Sequence, residues 1–194
     1  MSYIMMPEKN TYSFLQYDYA ASADPSIFNK GVSLAGFKPK LNYKVKNRAK
    51  FKTITDLHLL QCTGPDLVST KLRRILEKAA PAEIEFFEAK ISFDNADTQG
   101  FYAINIINKL NCCDMQKSEY DTTDFDPNNP CYLFLYTVLL NNTPNNLSII
   151  RCQEQPTSIV VNSSLKATIK DEKLPGLKFC SSLDLTPKNR SHCE

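Results

Sequence analysis

Apolar residues recur at helical spacing in one stretch and at strand spacing in most others. Val68, Leu72, Ile75, Leu76 and Ala79 follow steps that line up along one stripe of a helix, while Thr70, Lys71, Arg73, Arg74 and Lys78 lie off it. Pro65 and Asp66 suit an opening helical turn, and Pro81 ends it. The run Ile84–Phe93 then reads as a strand whose alternation slips between Phe86 and Phe87, which predicts a bulge or burial of both faces. Turn chemistry over 94–100 leads to a second β-branched and aromatic run at 101–107, so the pair reads as a hairpin, with 110–115 continuing the sheet. Further strands are expected at 131–140, 147–152, 158–161 and 177–179, with Pro144 in a turn between the first two. Asn162 or Ser163 caps a second helix through Leu165 and Ile169, which Leu174-Pro175-Gly176 stops. Near the start, Tyr3 to Met6 and residues 12–19 are aromatic-rich, with Tyr12, Phe14 and Gln16 alternating against Ser13, Leu15 and Tyr17. Residues 20–36 read as an irregular connection, and the tail from 186 to 194 as frayed. These elements predict an α+β fold, a largely antiparallel β-sheet packed with a few amphipathic helices, in a single domain over 1–194. The segment 1–54 is its least constrained portion.

Charge adds two polarised segments to this picture. Over 38–52 the residues Lys38, Lys40, Lys44, Lys46, Arg48, Lys50 and Lys52 hold even positions, and apolar side chains hold most odd ones. An extended chain would thereby gain a basic face, with Lys44, Lys46, Arg48 and Lys50 at its centre. Such a stripe suits either a solvated strand or partner surface, or a nucleic-acid-binding module gripping phosphates. No aromatic is interleaved on the basic face and no nucleic-acid motif accompanies it, which favours the first. Downstream, Asp114, Glu119, Asp121, Asp124 and Asp126 stand against Lys117 in an acidic loop. It lacks the central glycine and terminal glutamate of a twelve-residue calcium loop.

The chemical inventory is thin. Composition is that of a globular chain, with 42% hydrophobic and 23% charged residues over 194 positions. No signal-peptide pattern opens the sequence and no apolar run is long enough to cross a bilayer, so a cytoplasmic protein with no membrane partner is expected. The seven cysteines include no C-x-x-C pair and mostly sit in apolar runs, which predicts reduced core residues and no metal or other cofactor. Of the two histidines, His192 lies in the tail and His58 between leucines, a structural setting. Phosphate-binding loops, dinucleotide fingerprints, nucleophile elbows and zinc-protease motifs are missing, so no catalytic residue is assigned. An enzyme of unrecognised class stays as an alternative.

One ordered set of segments points further. Thr55-Asp56-Leu57, then 64–76, then 101–106 running into Cys113-Asp114 and Ser118, then Ser158-Ile159-Val160-Val161, then 174–179, resembles the bacterial immunity protein 11 family, formerly a domain of unknown function. The similarity spans about residues 55–179, the family-like core of the chain. It implies a non-enzymatic protein that binds and neutralises a cognate bacterial toxin, encoded by an adjacent gene, by occluding its active or substrate-binding face. The family supplies no catalytic residues to carry over. Under this resemblance the acidic residues Asp114, Glu119, Asp121, Asp124 and Asp126 are the expected toxin-binding surface, and the basic face is the second choice.

Overall fold

The computed structural model describes residues 1–94, 96–123, 131–186, 188 and 191–194. In chain order the strands are β1 (Ser2–Pro7), β2 (Leu15–Tyr17), β3 (Asn42–Val45), β4 (Leu59–Leu60), β5 (Leu67–Ser69), β6 (Ile84–Phe93) and β7 (Ala96–Ile106). They continue as β8 (Lys109–Leu110), β9 (Glu119–Thr123), β10 (Cys131–Val138), β11 (Ile149–Cys152), β12 (Ile159–Asn162), β13 (Leu177–Asp184) and β14 (His192–Cys193). The helices are α1 (Arg48–Thr53), α2 (Thr70–Ala79) and α3 (Ser163–Asp171). The strands form two curled, mostly antiparallel sheets, and the fold is α+β. The larger runs β8-β11-β12-β1-β13-β10-β9, with β14 attached to β13, and the smaller runs β2-β3-β6-β7-β5-β4. Among the described residues only β8 with β11 and β3 with β6 pair in parallel.

Side-chain alternation sorts the apolar residues into layers. Met5, Ile149, Ile159 and Val161 of the larger sheet meet Val68, Ile104 and Ile106 of the smaller one, together with Leu72, Ile75 and Leu76 of α2 and Leu165 and Ile169 of α3. The intervening residues Ile4, Ile150, Cys152 and Val160 face the other way, into a second cluster with Cys112, Cys113, Phe134 and Leu139. A third cluster covers the far face of the smaller sheet, where Phe101, Ala103 and Leu67 pack against Tyr17, Phe28, Tyr43 and Ile54. Both sheets therefore bury side chains on both faces. The first 54 residues are integral to this plan, because β1 lies between β12 and β13 near the middle of the larger sheet.

Several elements differ from the sequence expectation. α2 starts at Thr70, where the Ser69 side chain accepts the Leu72 N–H at 3.3 Å. The residues before it, Val68 included, are drawn into β5 by pairing with β7. The bulge in β6 lies between Ala89 and Ile91, not at Phe86 and Phe87. β7 begins at Ala96, so most of the expected 94–100 turn is strand, and Asp94 takes the reversal at φ 51°. Of 110–115, only Leu110 belongs to a strand, and Cys113 makes an isolated bridge to Leu139. β13 continues to Asp184, well past the expected short strand. The tail carries β14, and Glu194 exchanges both backbone hydrogen bonds with Phe179. The cysteines are not all reduced: Cys180 and Cys193, cross-strand neighbours on β13 and β14, form a disulfide.

Candidate functional site

The edge of the larger sheet carries the most distinctive exposed surface. In β10 the tyrosine and phenylalanine at 132 and 134 turn inward, and Tyr120 of β9 stacks edge-on against Tyr132 at 5.3 Å. Alternation then forces the leucines between them outward. Leu133 is 54% exposed and Leu135 45%. Leu185, just past β13, donates its N–H to the Leu135 carbonyl at 2.8 Å and is 62% exposed, which sets a third leucine alongside. On the neighbouring strand Asp121 is the direct partner of Leu133. Glu119, two positions earlier, shares its side of β9, and both are exposed. β9 is the terminal strand of the sheet, so one row of its backbone groups pairs with no strand among the described residues. The result is an apolar strip with acidic residues along an open strand edge.

The five expected acidic residues do not all join this face. Glu119 and Asp121 do. Asp114 does not: its carboxylate is held by Lys117 Nζ at 2.7 Å and accepts the N–H groups of Gln116 and Lys117, so it builds a turn. The hydrogen bond from Lys117 keeps that carboxyl below its ordinary value. Asp124 and Asp126 lie outside the described residues. Sequence reading missed the leucines because an apolar decapeptide reads as buried throughout, and only the strand's position at the sheet edge exposes alternate members.

The basic segment is not one face. β3 carries Lys44, whose ammonium pairs with Asp18 at 2.5 Å. Lys46 sits at a bend after the strand. Arg48 and Lys50 belong to α1, with Lys50 5.5 Å from the centre of the Phe14 ring. The period-two alternation ends because Asn47 receives the N–H groups of Lys50 and Phe51 and starts a helix. A continuous phosphate-gripping stripe is thereby broken.

Catalytic geometry is equally sparse. His58 Nδ1 lies 2.8 Å from Ser69 Oγ, two members of a hydrolase-like arrangement. Yet Ser69 is buried and occupied in capping α2, and burial pulls the His58 ring below its usual value. No carboxylate bonds its second nitrogen among the described residues. A cleft of 530 Å³ lies between β3, β6 and β7, crossed by the Lys90–Asp97 ion pair at 2.8 Å, with no histidine, cysteine or serine in its lining. Among the described residues no helix is long and apolar enough to cross a membrane.

Compared with known families, residues 3–183 match the model described as Immunity protein family (Imm11). No curated protein matches the chain.

Proposed function

Because the chain belongs to the Imm11 immunity protein family, we propose that it binds a cognate toxin protein, encoded by an adjacent gene, and neutralises it by covering the toxin's active or substrate-binding face. The family match carries the immunity reading, and it now includes nearly all of the 54 residues that precede the segment legible by resemblance. For the docking surface, the supporting observation is the exposed leucine strip of β10 and Leu185, bordered by Glu119 and Asp121. Isolated exposed leucines are ordinary, but three held side by side on a sheet edge resemble the apolar centre of a protein interface. The acidic border selects a toxin with basic residues around its cleft, the charge pattern of an enzyme that handles phosphate-rich or otherwise anionic substrates. Opposed charge speeds encounter and orients the partners, while buried leucines hold the complex.

This reading makes the protein an inhibitor by occlusion with no chemistry of its own. It acts in the cell that produces the toxin, so a cytoplasmic location follows from the proposal. Co-expression provides the test. A strain producing the adjacent toxin survives when this chain is co-produced, and the two proteins purify together. Survival without a physical complex contradicts occlusion, and failure to protect contradicts the immunity role of this pair.

A further inference from the structure

We propose that Cys112, Cys113, Cys152 and Glu154 form a structural binding site for a divalent cation of the zinc class. Each offers one ligand atom, and all four lie within 4.8 Å of one another. Cys113 Sγ and Cys152 Sγ are 3.5 Å apart, Cys152 Sγ is 3.3 Å from Glu154 Oε2, and the same oxygen accepts the Cys112 N–H at 3.1 Å. The three cysteines are no more than 5% exposed. In a tetrahedral site with zinc–sulfur bonds of about 2.3 Å, sulfur atoms stand about 3.8 Å apart. The donors therefore need only side-chain adjustment of roughly an ångström to close on one ion.

The donor set decides the class of ion. Three thiols select borderline and soft cations over magnesium or calcium, which prefer oxygen. Four protein donors leave no open position, the pattern of a structural centre. Binding displaces thiol protons to solvent and forms metal–sulfur and metal–oxygen bonds, with no change of oxidation state. Cys62 supplies the contrast: it is buried in the apolar cluster on the smaller sheet, outside the group of four donors.

Placement gives the site a purpose. Residues 108–114 pass from one edge region of the larger sheet to another. At one end Arg151 and Gln153 donate backbone N–H groups to Asn108 and Leu110, and at the other Leu140 donates to Cys112 and Asp114 to Val138. An ion held by Cys112, Cys113, Cys152 and Glu154 staples this crossing segment to the end of β11. The proposal does not rest on the toxin reading and is tested without a toxin.

The experiment uses the full chain, freed of metal with the Cys180–Cys193 bridge intact, titrated with Zn²⁺ against a chromophoric chelator and separately with Co²⁺ followed by absorbance. One equivalent per chain, thiolate-to-cobalt charge-transfer bands and a raised Tm are expected. Glu154→Gln, which keeps the fold readable if cysteine variants fail to fold, weakens binding at least about 10-fold. Cys113→Ser abolishes the charge-transfer spectrum, and Cys62→Ser leaves it unchanged. Substoichiometric binding, cobalt spectra without thiolate bands, or equal loss in Cys62→Ser overturns the site. A Cys113–Cys152 disulfide in chain purified anaerobically, with no bound ion, overturns it as well.

Discussion

Among the described residues Arg151 is the largest fully buried side chain, and its guanidinium meets Asp66 at 3.1 Å across the space between the two sheets. Burial pushes the Asp66 carboxyl up and the arginine pulls it back, so each group tolerates its position only because of the other. Asp66→Ala leaves a buried cation unpaired and is expected to cost about 3–5 kcal/mol, whereas the paired change Asp66→Leu with Arg151→Met recovers most of it. Urea unfolding of the two variants checks this; equal loss in both would assign the effect to shape instead of charge. The Cys180–Cys193 bridge closes a 13-residue separation, and Cys193→Ser is expected to lose roughly 2–3 kcal/mol. A urea midpoint that does not move would show that the β14 hydrogen bonds hold the tail unaided. Neither feature was legible in the sequence. Asp66 sits beside Pro65, where a helix cap is the local reading, and its partner is 85 residues away. Which cysteines meet likewise depends on strand register, which spacing alone does not encode.

Elements defined by local chemistry were legible, and those defined by distant partners were not. The β6–β7 hairpin, α3 with its Asn162 cap and the buried stripe of α2 follow from neighbouring residues alone. Leu72, fully buried on that stripe, cannot accept a carboxylate, so Leu72→Asp is expected to abolish cooperative unfolding in a thermal melt. β1 escaped notice as a strand because a six-residue run acquires its central place only when β12 and β13 arrive more than 150 residues later. One loop shows a further dependence. Glu85 of β6 accepts Ser33 Oγ at 2.5 Å, the Leu34 N–H at 2.7 Å and the Asn105 amide at 2.8 Å. Burial acts to raise its carboxyl, but these hydrogen bonds outweigh it and hold the value below normal. A depressed carboxyl stabilises the fold above its unfolded value of about 4.3 and loses that contribution as pH falls through the lower folded value. Protection of the amides at 33–35, taken relative to the intrinsic exchange rate at each pH, should therefore fall in that acid window, and in Glu85→Gln this loss of protection should vanish. Unchanged dependence in the variant would place the titrating group elsewhere.

At the scale of the molecule, the β9–β10 margin of the larger sheet carries exposed apolar side chains. Burial of both faces of each sheet consumes most apolar residues, which makes the leucine strip of β10 an exception that the core does not explain. The charged segments alone suggested partner surfaces. Folding removes Asp114 from the acidic group, divides the basic run and places Glu119 and Asp121 beside exposed leucines of the apolar strand β10. The docking account therefore rests on Leu133 and Leu135 more than on charge. About half of each leucine is still exposed, so docking buries the equivalent of one leucine, about 1.5–3 kcal/mol for the pair, and glutamates desolvated in their place add a further penalty. Leu133→Glu with Leu135→Glu should therefore weaken toxin binding more than about 100-fold. Equilibrium affinity for the adjacent-gene toxin is the direct measurement, with Lys46→Ala and Arg48→Ala as the control surface and Tm monitored throughout. A loss of more than about 100-fold in the leucine variant at unchanged Tm, with the basic control binding like wild type, is the expected result; unchanged affinity in the leucine variant would contradict docking through this face.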